Sequence, residues 1–233
     1  MVAHRGSTHP APENTLRAFE RAIALRADGI ELDLHLTSDG AVVVHHDPVP
    51  QPSPNEDALA WRPFSTLTLA EVRRLRVAGT DPIPTLEEVL ALVGNRLTIY
   101  CELKGAGVVE GAAPMLADHS GPCAMHSFDH RAVRRAAELA PKVPRGILLS
   151  SRLVDTAHAL QGARASALWP SREFVDAELV AEVHGLGAQI IVWTVNDPLD
   201  ARRLATLGVD ALCTDDIEGT RAAAGATFPP SRA

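Results

Sequence analysis

Cysteine is scarce in this chain, which has Cys101, Cys123 and Cys213 and no others. The three residues are far apart and odd in number, so they match neither a disulfide framework nor the spacing of a zinc site. Each lies in an apolar run. We therefore expect three buried, unpaired thiols, which are typical of a reducing compartment.

Long apolar runs and an excess of positive charge are also absent. No run approaches the ~20 residues that a membrane span needs, and the opening segment MVAHRG lacks the charged start and apolar core of a signal peptide. The net charge of −7 argues against nucleic acid or an acidic membrane as the main partner. We expect a cytoplasmic protein without stable membrane insertion, and a local basic site for a small anion is compatible with this charge.

The 233 residues are 46% hydrophobic and 22% charged, which suits one α/β barrel. Short runs rich in Val, Ile and Leu alternate with amphipathic stretches, a pattern that predicts βα units and a parallel sheet. The apolar runs cover 2–5, 30–35, 42–46, 97–104, 123–128, 146–150, 165–171, 189–195 and 211–215. The predicted helices cover roughly 15–27, 69–77, 85–94, 107–117, 130–139, 175–186, 198–207 and 217–224.

Nine apolar runs are one more than an eight-stranded barrel needs. The linker between Leu36 and Val42 is too short for a parallel crossover, so these runs must form an antiparallel hairpin in which opposed residue numbers sum to about 78. The prediction is a (β/α)8 TIM barrel with a hairpin extension after strand two, in one domain over 1–225, followed by a flexible tail at 226–233. A doubly wound sheet is the weaker alternative, because no glycine-rich phosphate fingerprint follows the first strand.

Three carboxylates are predicted at the carboxyl ends of the strands, where barrel enzymes carry their chemistry. Glu31 and Asp33 share one face of strand two, and Glu102 ends strand three. At ~4 Å and an effective dielectric constant of ~20, each pair would repel by ~4 kcal/mol. A divalent cation would offset this repulsion, and oxygen ligands favour Mg²⁺, Ca²⁺ or Mn²⁺ over zinc. The alternative is a structural salt-bridge network with Arg5 and Lys104.

Two histidines, His4 and His46, approach the same rim from different strands. Imidazoles with pKa values near neutrality suit general acid and base work, and we favour the metal because salt bridges alone leave these residues unexplained. Arg5 and Lys104 add positive charge that suits a phosphoryl oxygen. The chain has ten histidines, so chance placement is a competing explanation.

Eight segments resemble, in order, the motif set of the glycerophosphodiester phosphodiesterase family, from residue 4 to about residue 217. They are HRG, PENTLRAFERA, GIELDLHLTSDGAVVVHHD, IPTLEEVL, CELK, HSFD, VWTVND and GVDALCTD. The family is known as a (β/α)8 barrel with a hairpin after strand two. The resemblance implies the following roles: catalysis for His4 and His46, divalent-metal binding for Glu31, Asp33 and Glu102, and substrate binding for Arg5, Lys104, Glu13 and Trp193.

The resemblance also implies a reaction, the hydrolysis of small glycerophosphodiesters to glycerol 3-phosphate and an alcohol. A divalent metal would polarise the phosphate and a glycerol hydroxyl. One histidine would deprotonate the 2-hydroxyl, the other would protonate the leaving alcohol, and water would then open the cyclic phosphate. For Trp193, a core role is equally compatible with the sequence. Asn14 is compatible with capping the first helix as well as with a site role.

This sequence departs from the family pattern at two places. The proline-rich segment 48–63 is expected to shape the entrance for the alcohol. His126, in HSFD, stands where the family commonly has a small residue, and could alter the surroundings of the metal site.

Two other functions are compatible with a barrel of this kind. A lysophospholipase D-type enzyme is disfavoured by Glu102 and by the 42-residue step from His4 to His46. A non-catalytic barrel that binds a phosphorylated ligand is disfavoured because both histidines and all three carboxylates are present.

Overall fold

The computed structural model describes residues 1–50 and 58–225. The predicted tail 226–233 and part of the proline-rich segment therefore lie outside the described residues. The strands of the described part are β1 (Val2–Ala3), β2 (Gly29–Leu36), β3 (Val42–Val44), β4 (Arg76–Val77), β5 (Asp81–Pro82), β6 (Thr98–Leu103), β7 (Cys123–Ser127), β8 (Arg145–Leu149), β9 (Ala167–Pro170), β10 (Gln189–Val192) and β11 (Ala211–Thr214).

Eight of these strands form a closed parallel barrel. The order β2, β6, β7, β8, β9, β10, β11 and β1 returns to β2, because β1 pairs with both β2 and β11. β3 is antiparallel to β2 and lies outside the barrel. The predicted (β/α)8 barrel with a hairpin after its second strand is confirmed. β4 and β5 form a separate two-stranded ribbon.

The hairpin has the register that its short linker predicts. Leu34 lies opposite Val44, and Leu36 lies opposite Val42, so the paired numbers sum to 78. The backbone N–H of His45 donates to the Asp33 carbonyl at 2.9 Å, which continues the pairing past β3. This continuation carries the returning chain, and His46 with it, to the rim of the barrel.

Helices surround the barrel, as the alternating pattern predicts. They are α1 (Leu16–Ala24), α2 (Leu69–Val72), α3 (Leu86–Val93), α4 (Val108–Asp118), α5 (His130–Leu139), α6 (Thr156–Ala163), α7 (Ala177–Gly185), α8 (Pro198–Leu207) and α9 (Ile217–Ala224). α6 is not among the helices that the sequence predicts. The sequence prediction also extends α2 too far, because the chain leaves the helix after Val72 and enters β4 four residues later.

Apolar side chains fill the lower part of the barrel and separate its two ends. Tyr100 and Trp169 meet edge to face at 5.1 Å, and Cys213 is buried with them. The cysteines of the described part are free, and burial raises the pKa of the Cys101 and Cys213 thiols well above the usual value. No helix in the described part is both long and apolar enough to span a membrane.

Candidate active site

A cleft of about 120 Å³ opens at the carboxyl ends of the barrel strands. Seven of the nine predicted site residues line it: His4, Arg5, Glu31, His46, Glu102, Lys104 and Trp193. The other two, Glu13 and Asp33, are not in its lining but contact Arg5. A larger cavity of about 310 Å³ lies at the opposite end of the barrel and contains none of the nine. We assign the chemistry to the smaller cleft, because that is where the charged side chains converge.

Strand register brings two carboxylates and an imidazole together inside this cleft. Glu102 on β6 lies opposite His126 on β7, and one ligand atom each from Glu31, Glu102 and His126 lie within 4.8 Å of one another. Burial, together with the charges of Asp33 and Glu31, raises the pKa of Glu102 to about 8. Two carboxylates this close strongly favour a positive charge between them, so this donor set fits a divalent cation.

Asp33 belongs to an ion-pair network beside that cluster. Its carboxylate lies 3.2 Å from Lys104 Nζ and 3.4 Å from Arg5 Nε, and it accepts a 2.8 Å hydrogen bond from Asn14 Nδ2. Burial opposes ionisation, but the charges of Lys104 and Arg5 outweigh it, so the pKa of Asp33 lies below its usual value. Lys104 Nζ also lies 3.3 Å from Glu102. The role of Asp33 as a metal ligand stays a prediction.

Each predicted catalytic histidine has a carboxylate at Nδ1. His4 Nδ1 lies 2.7 Å from Asp215 Oδ1, and His46 Nδ1 lies 2.7 Å from Asp47 Oδ1. Asn196 holds Asp215 in turn through a 2.6 Å hydrogen bond from Nδ2 to Oδ2. A carboxylate at Nδ1 selects the tautomer that leaves Nε2 to act on a substrate. Both imidazoles line the same cleft, each with its Nδ1 engaged by a carboxylate.

The electrostatic surroundings of His4 favour its protonated form. Burial of the ring lowers its pKa, but the hydrogen bond with Asp215 and the charge of Glu31 raise it by more. The pKa of His4 therefore lies above its ordinary value. A group protonated near neutrality can act as a general acid, and after losing its proton it can act as a general base.

The HRG segment turns sharply to present Arg5 to the carboxylates. Arg5 has a left-handed φ of 56°, and its backbone N–H donates to Glu31 Oε2 at 3.2 Å. Its guanidinium donates to Glu13 at 2.9 Å. Gly6 follows with a φ of 88°, and a Cβ there would lie 2.7 Å from Ala18 Cβ. Only glycine fits both the conformation and the space.

Aromatic side chains form one wall of the cleft. Trp193 is half-buried, donates from Nε1 to the Trp169 carbonyl at 2.9 Å and meets Phe128 edge to face at 5.4 Å. Trp193 thus lies at the cleft and also packs against the barrel wall. Phe128 is exposed and extends this apolar surface outward.

The contacts of the candidate site that the sequence did not predict join residues that are distant along the chain or ambiguous in their role. The pairing of Asp215 with His4 spans almost the whole chain, and the sequence shows only that Asp215 ends an apolar run. Asp47 directly follows His46, so the HHD segment did indicate that a carboxylate could contact the His46 ring. Asn14 binds Asp33, whereas the helix cap is provided by Thr15. His126 was noted as a departure from the family pattern near the metal site, but its convergence with Glu31 and Glu102 was not predicted.

Comparisons with known proteins agree with this geometry. The profile of the glycerophosphoryl diester phosphodiesterase family matches residues 4–219. A protein of Caldanaerobacter subterraneus subsp. tengcongensis named glycerophosphodiester phosphodiesterase is 33% identical over 234 residues, which cover 94% of each chain.

Solved structures share the barrel over nearly their full length. A phosphodiesterase from Oleispira antarctica, in complex with the product sn-glycerol-3-phosphate, superposes with a TM-score of 0.86 at 26% identity, covering 95% of each chain. A glycerophosphodiester phosphodiesterase from Agrobacterium tumefaciens has a TM-score of 0.80 at 25% identity, covering 96% of this chain and 98% of its own. Because the family profile covers nearly the whole chain, this protein belongs to the glycerophosphoryl diester phosphodiesterase family.

Proposed function

We propose that this protein hydrolyses glycerophosphodiesters to glycerol 3-phosphate and an alcohol, with a divalent cation as cofactor. The observation that carries the proposal is the pair of histidines in one cleft, each with a carboxylate 2.7 Å from Nδ1. Such a pair supplies one general base and one general acid. The Oleispira relative was solved with sn-glycerol-3-phosphate, the product that this reaction would release.

The chain's own residues would bind and orient the phosphate. Arg5 and Lys104 line the cleft and carry positive charge to its phosphoryl oxygens. Glu13 accepts hydrogen bonds from the Arg5 guanidinium at 2.9 and 3.0 Å, so its contribution is to hold Arg5 in place. Trp193 offers an apolar face for the carbon atoms of the glycerol moiety.

The metal would be held by Glu31, Asp33 and Glu102. The carboxylates of Glu31 and Glu102 lie close together in the cleft. Asp33 is their neighbour, because Lys104 Nζ contacts both Asp33 and Glu102. When bound, the cation would polarise a phosphoryl oxygen and the attacking hydroxyl. Mg²⁺, Ca²⁺ and Mn²⁺ all suit carboxylate ligands.

The two histidines would move the protons. One would take the proton of the glycerol 2-hydroxyl, which attacks phosphorus as a neighbouring nucleophile. The other would protonate the leaving alcohol, and the roles would reverse when water opens the cyclic phosphate. In each case Nδ1 is engaged by Asp215 or Asp47, so Nε2 is the atom that would exchange the proton.

The test measures glycerol 3-phosphate release from glycerophosphocholine and glycerophosphoethanolamine, first with EDTA and then with Mg²⁺, Ca²⁺ or Mn²⁺ restored. We expect metal-dependent release that His4→Ala and Glu31→Ala abolish. The matched control is His184→Ala, because His184 pairs with Asp210 at 3.0 Å outside the cleft. If folded wild type releases nothing with any of the metals, the proposal fails, and lysolipid substrates become the next to test.

A further inference from the structure

We propose that His126 is itself a ligand of the divalent cation, through Nε2, together with Glu31 and Glu102. The inference rests on the proposed metal-dependent function and deepens it, because it concerns which ion this chain prefers. An imidazole among the carboxylates would turn a site for hard cations into a mixed nitrogen and oxygen site. We expect such a site to favour transition ions such as Mn²⁺, Co²⁺ or Zn²⁺ over Mg²⁺ and Ca²⁺.

The position of His126 is set by the barrel itself. His126 lies on β7 in register with Glu102 on β6, so both side chains lie at the same level of the barrel. The His126 side chain is only 1% exposed and still lines the cleft. It is therefore a buried polar group directed at the same space as the two carboxylates.

Hydrogen bonding does not explain why the His126 side chain is buried at this position. Within the described residues, His126 Nδ1 is buried without a hydrogen-bond partner. Nε2 lies 3.6 Å from Glu31 Oε1, which is beyond the usual range of a hydrogen bond. Two adjacent ligand atoms bonded to one ion at about 2.1 Å are separated by roughly 3.0 Å in an octahedral site and roughly 3.4 Å in a tetrahedral one, close to the distance seen here. The separation therefore suits two ligands that share an ion better than a donor and its acceptor.

Stacking holds the ring in this orientation. The His126 ring lies on Trp169 with centroids 4.3 Å apart and an interplanar angle of 25°. Gly146 makes room for this arrangement, because a Cβ there would come within 2.6 Å of the Trp169 ring. The imidazole thus presents Nε2 to the cleft from a rigid support, as a preorganised ligand requires.

Of the two cationic side chains among the described residues that line the cleft, Arg5 and Lys104, only Lys104 contacts a carboxylate of this cluster, and it shares that contact with Asp33. Lys104 lies between Asp33 and Glu102, and the Arg5 guanidinium contacts Asp33 and Glu13. Glu31 and Glu102 then have His126 as the third donor that converges with them.

The experiment loads the metal-free protein with Mn²⁺ and records pulsed EPR spectra, which detect nitrogen bonded directly to the ion. We expect a nitrogen coupling in the wild type and also in the His4→Gln/His46→Gln double variant, where the other two cleft histidines are removed. His126→Gln should lose the coupling, because it replaces the imidazole nitrogen with a neutral polar side chain. A wild-type spectrum without directly bonded nitrogen, or a coupling that survives His126→Gln, would overturn the inference.

Calorimetric titration supplies a second readout that does not depend on turnover. His126→Gln should weaken Co²⁺ binding at least about tenfold while changing Mg²⁺ binding much less. Equal losses for the two ions, or no binding of either ion to wild type, would refute the assignment. A protein that shows the nitrogen coupling but releases no glycerol 3-phosphate would refute the proposed function alone. Release without that coupling would refute the ligand role alone.

Discussion

Replacing Asp215 with Asn should reduce kcat/KM for glycerophosphodiesters roughly 10- to 150-fold. Asp215 Oδ1 lies 2.7 Å from His4 Nδ1, and its other oxygen is held by Asn196 at 2.6 Å. A hydrogen bond to a charged group contributes about 1.5–3 kcal/mol, and each ~1.4 kcal/mol of lost transition-state stabilisation costs about tenfold in rate. Asn retains the shape but loses the charge that stabilises protonated His4.

The same substitution should also move the pH–rate profile in a defined direction. The hydrogen bond with Asp215 raises the pKa of His4 against the opposing effect of burial, so its loss must lower that pKa. The limb of the kcat/KM profile that reports His4 should therefore shift to lower pH. NMR titration of the His4 ring should show the same shift in the absence of substrate.

The control is Asp210→Asn, which removes the carboxylate partner of His184, 3.0 Å away and outside the cleft. It should leave both kcat/KM and the pH profile unchanged, and thermal unfolding should show that both variants are folded. If Asp215→Asn retains wild-type kcat/KM with an unmoved profile, Asp215 does not orient His4 for catalysis and the reasoning is wrong.

Three further predictions concern stability and the metal. Asn14→Gly keeps the left-handed backbone but removes a hydrogen bond to buried Asp33, so the free energy of unfolding in urea should fall by about 1–3 kcal/mol. Thr85→Ala breaks the capping box with Glu88 and should cost about 1 kcal/mol in the same assay without changing kcat. Divalent cations should raise the melting temperature of wild type but not of Glu102→Gln, whose metal-free stability should match wild type because the pKa of Glu102 is about 8.

The barrel and its hairpin were predictable because both follow from local patterns. Apolar runs separated by amphipathic stretches specify βα units, and the short linker between Leu36 and Val42 allows only an antiparallel return. The register followed from the same constraint and agrees with the pairing of Leu34 with Val44. The capping box at Thr85 was likewise visible as a Thr and a Glu three residues apart.

Local patterns were a poorer guide where their signals were weak or conflicting. α6 was missed although Asp155 caps it and Leu160 and Ala163 are buried on its inner face. The helix predicted over 69–77 ends at Val72, and the chain continues into β4, which pairs with β5 across a turn that contains Gly79, with a φ of 71°. Both errors involve segments away from the cleft, so they left the predicted site unaffected.

The site residues themselves were predictable because the carboxyl ends of all the barrel strands lie at the same rim. Which side chains then contact each other depends on rotamers and on distant parts of the chain. The partnership of Asp215 with His4 could not be derived from spacing, since closure of the barrel alone brings β11 beside β1. Likewise, nothing near His126 in the sequence shows that its ring stacks on Trp169 and points at Glu31.

The sequence left two interpretations of the carboxylates, a metal site or a salt-bridge network, and the carboxylates differ in how far neighbouring cations neutralise them. Asp33 has Lys104 and Arg5 as partners, and its pKa is lowered accordingly. Glu102 shares Lys104 with Asp33, and its pKa rises to about 8 because burial and its two acidic neighbours outweigh that one cation. The neighbouring cations therefore outweigh burial at Asp33 but not at Glu102. The deficit of positive charge at Glu102 lies where Glu31, Glu102 and His126 converge, which is where a divalent cation would remove it.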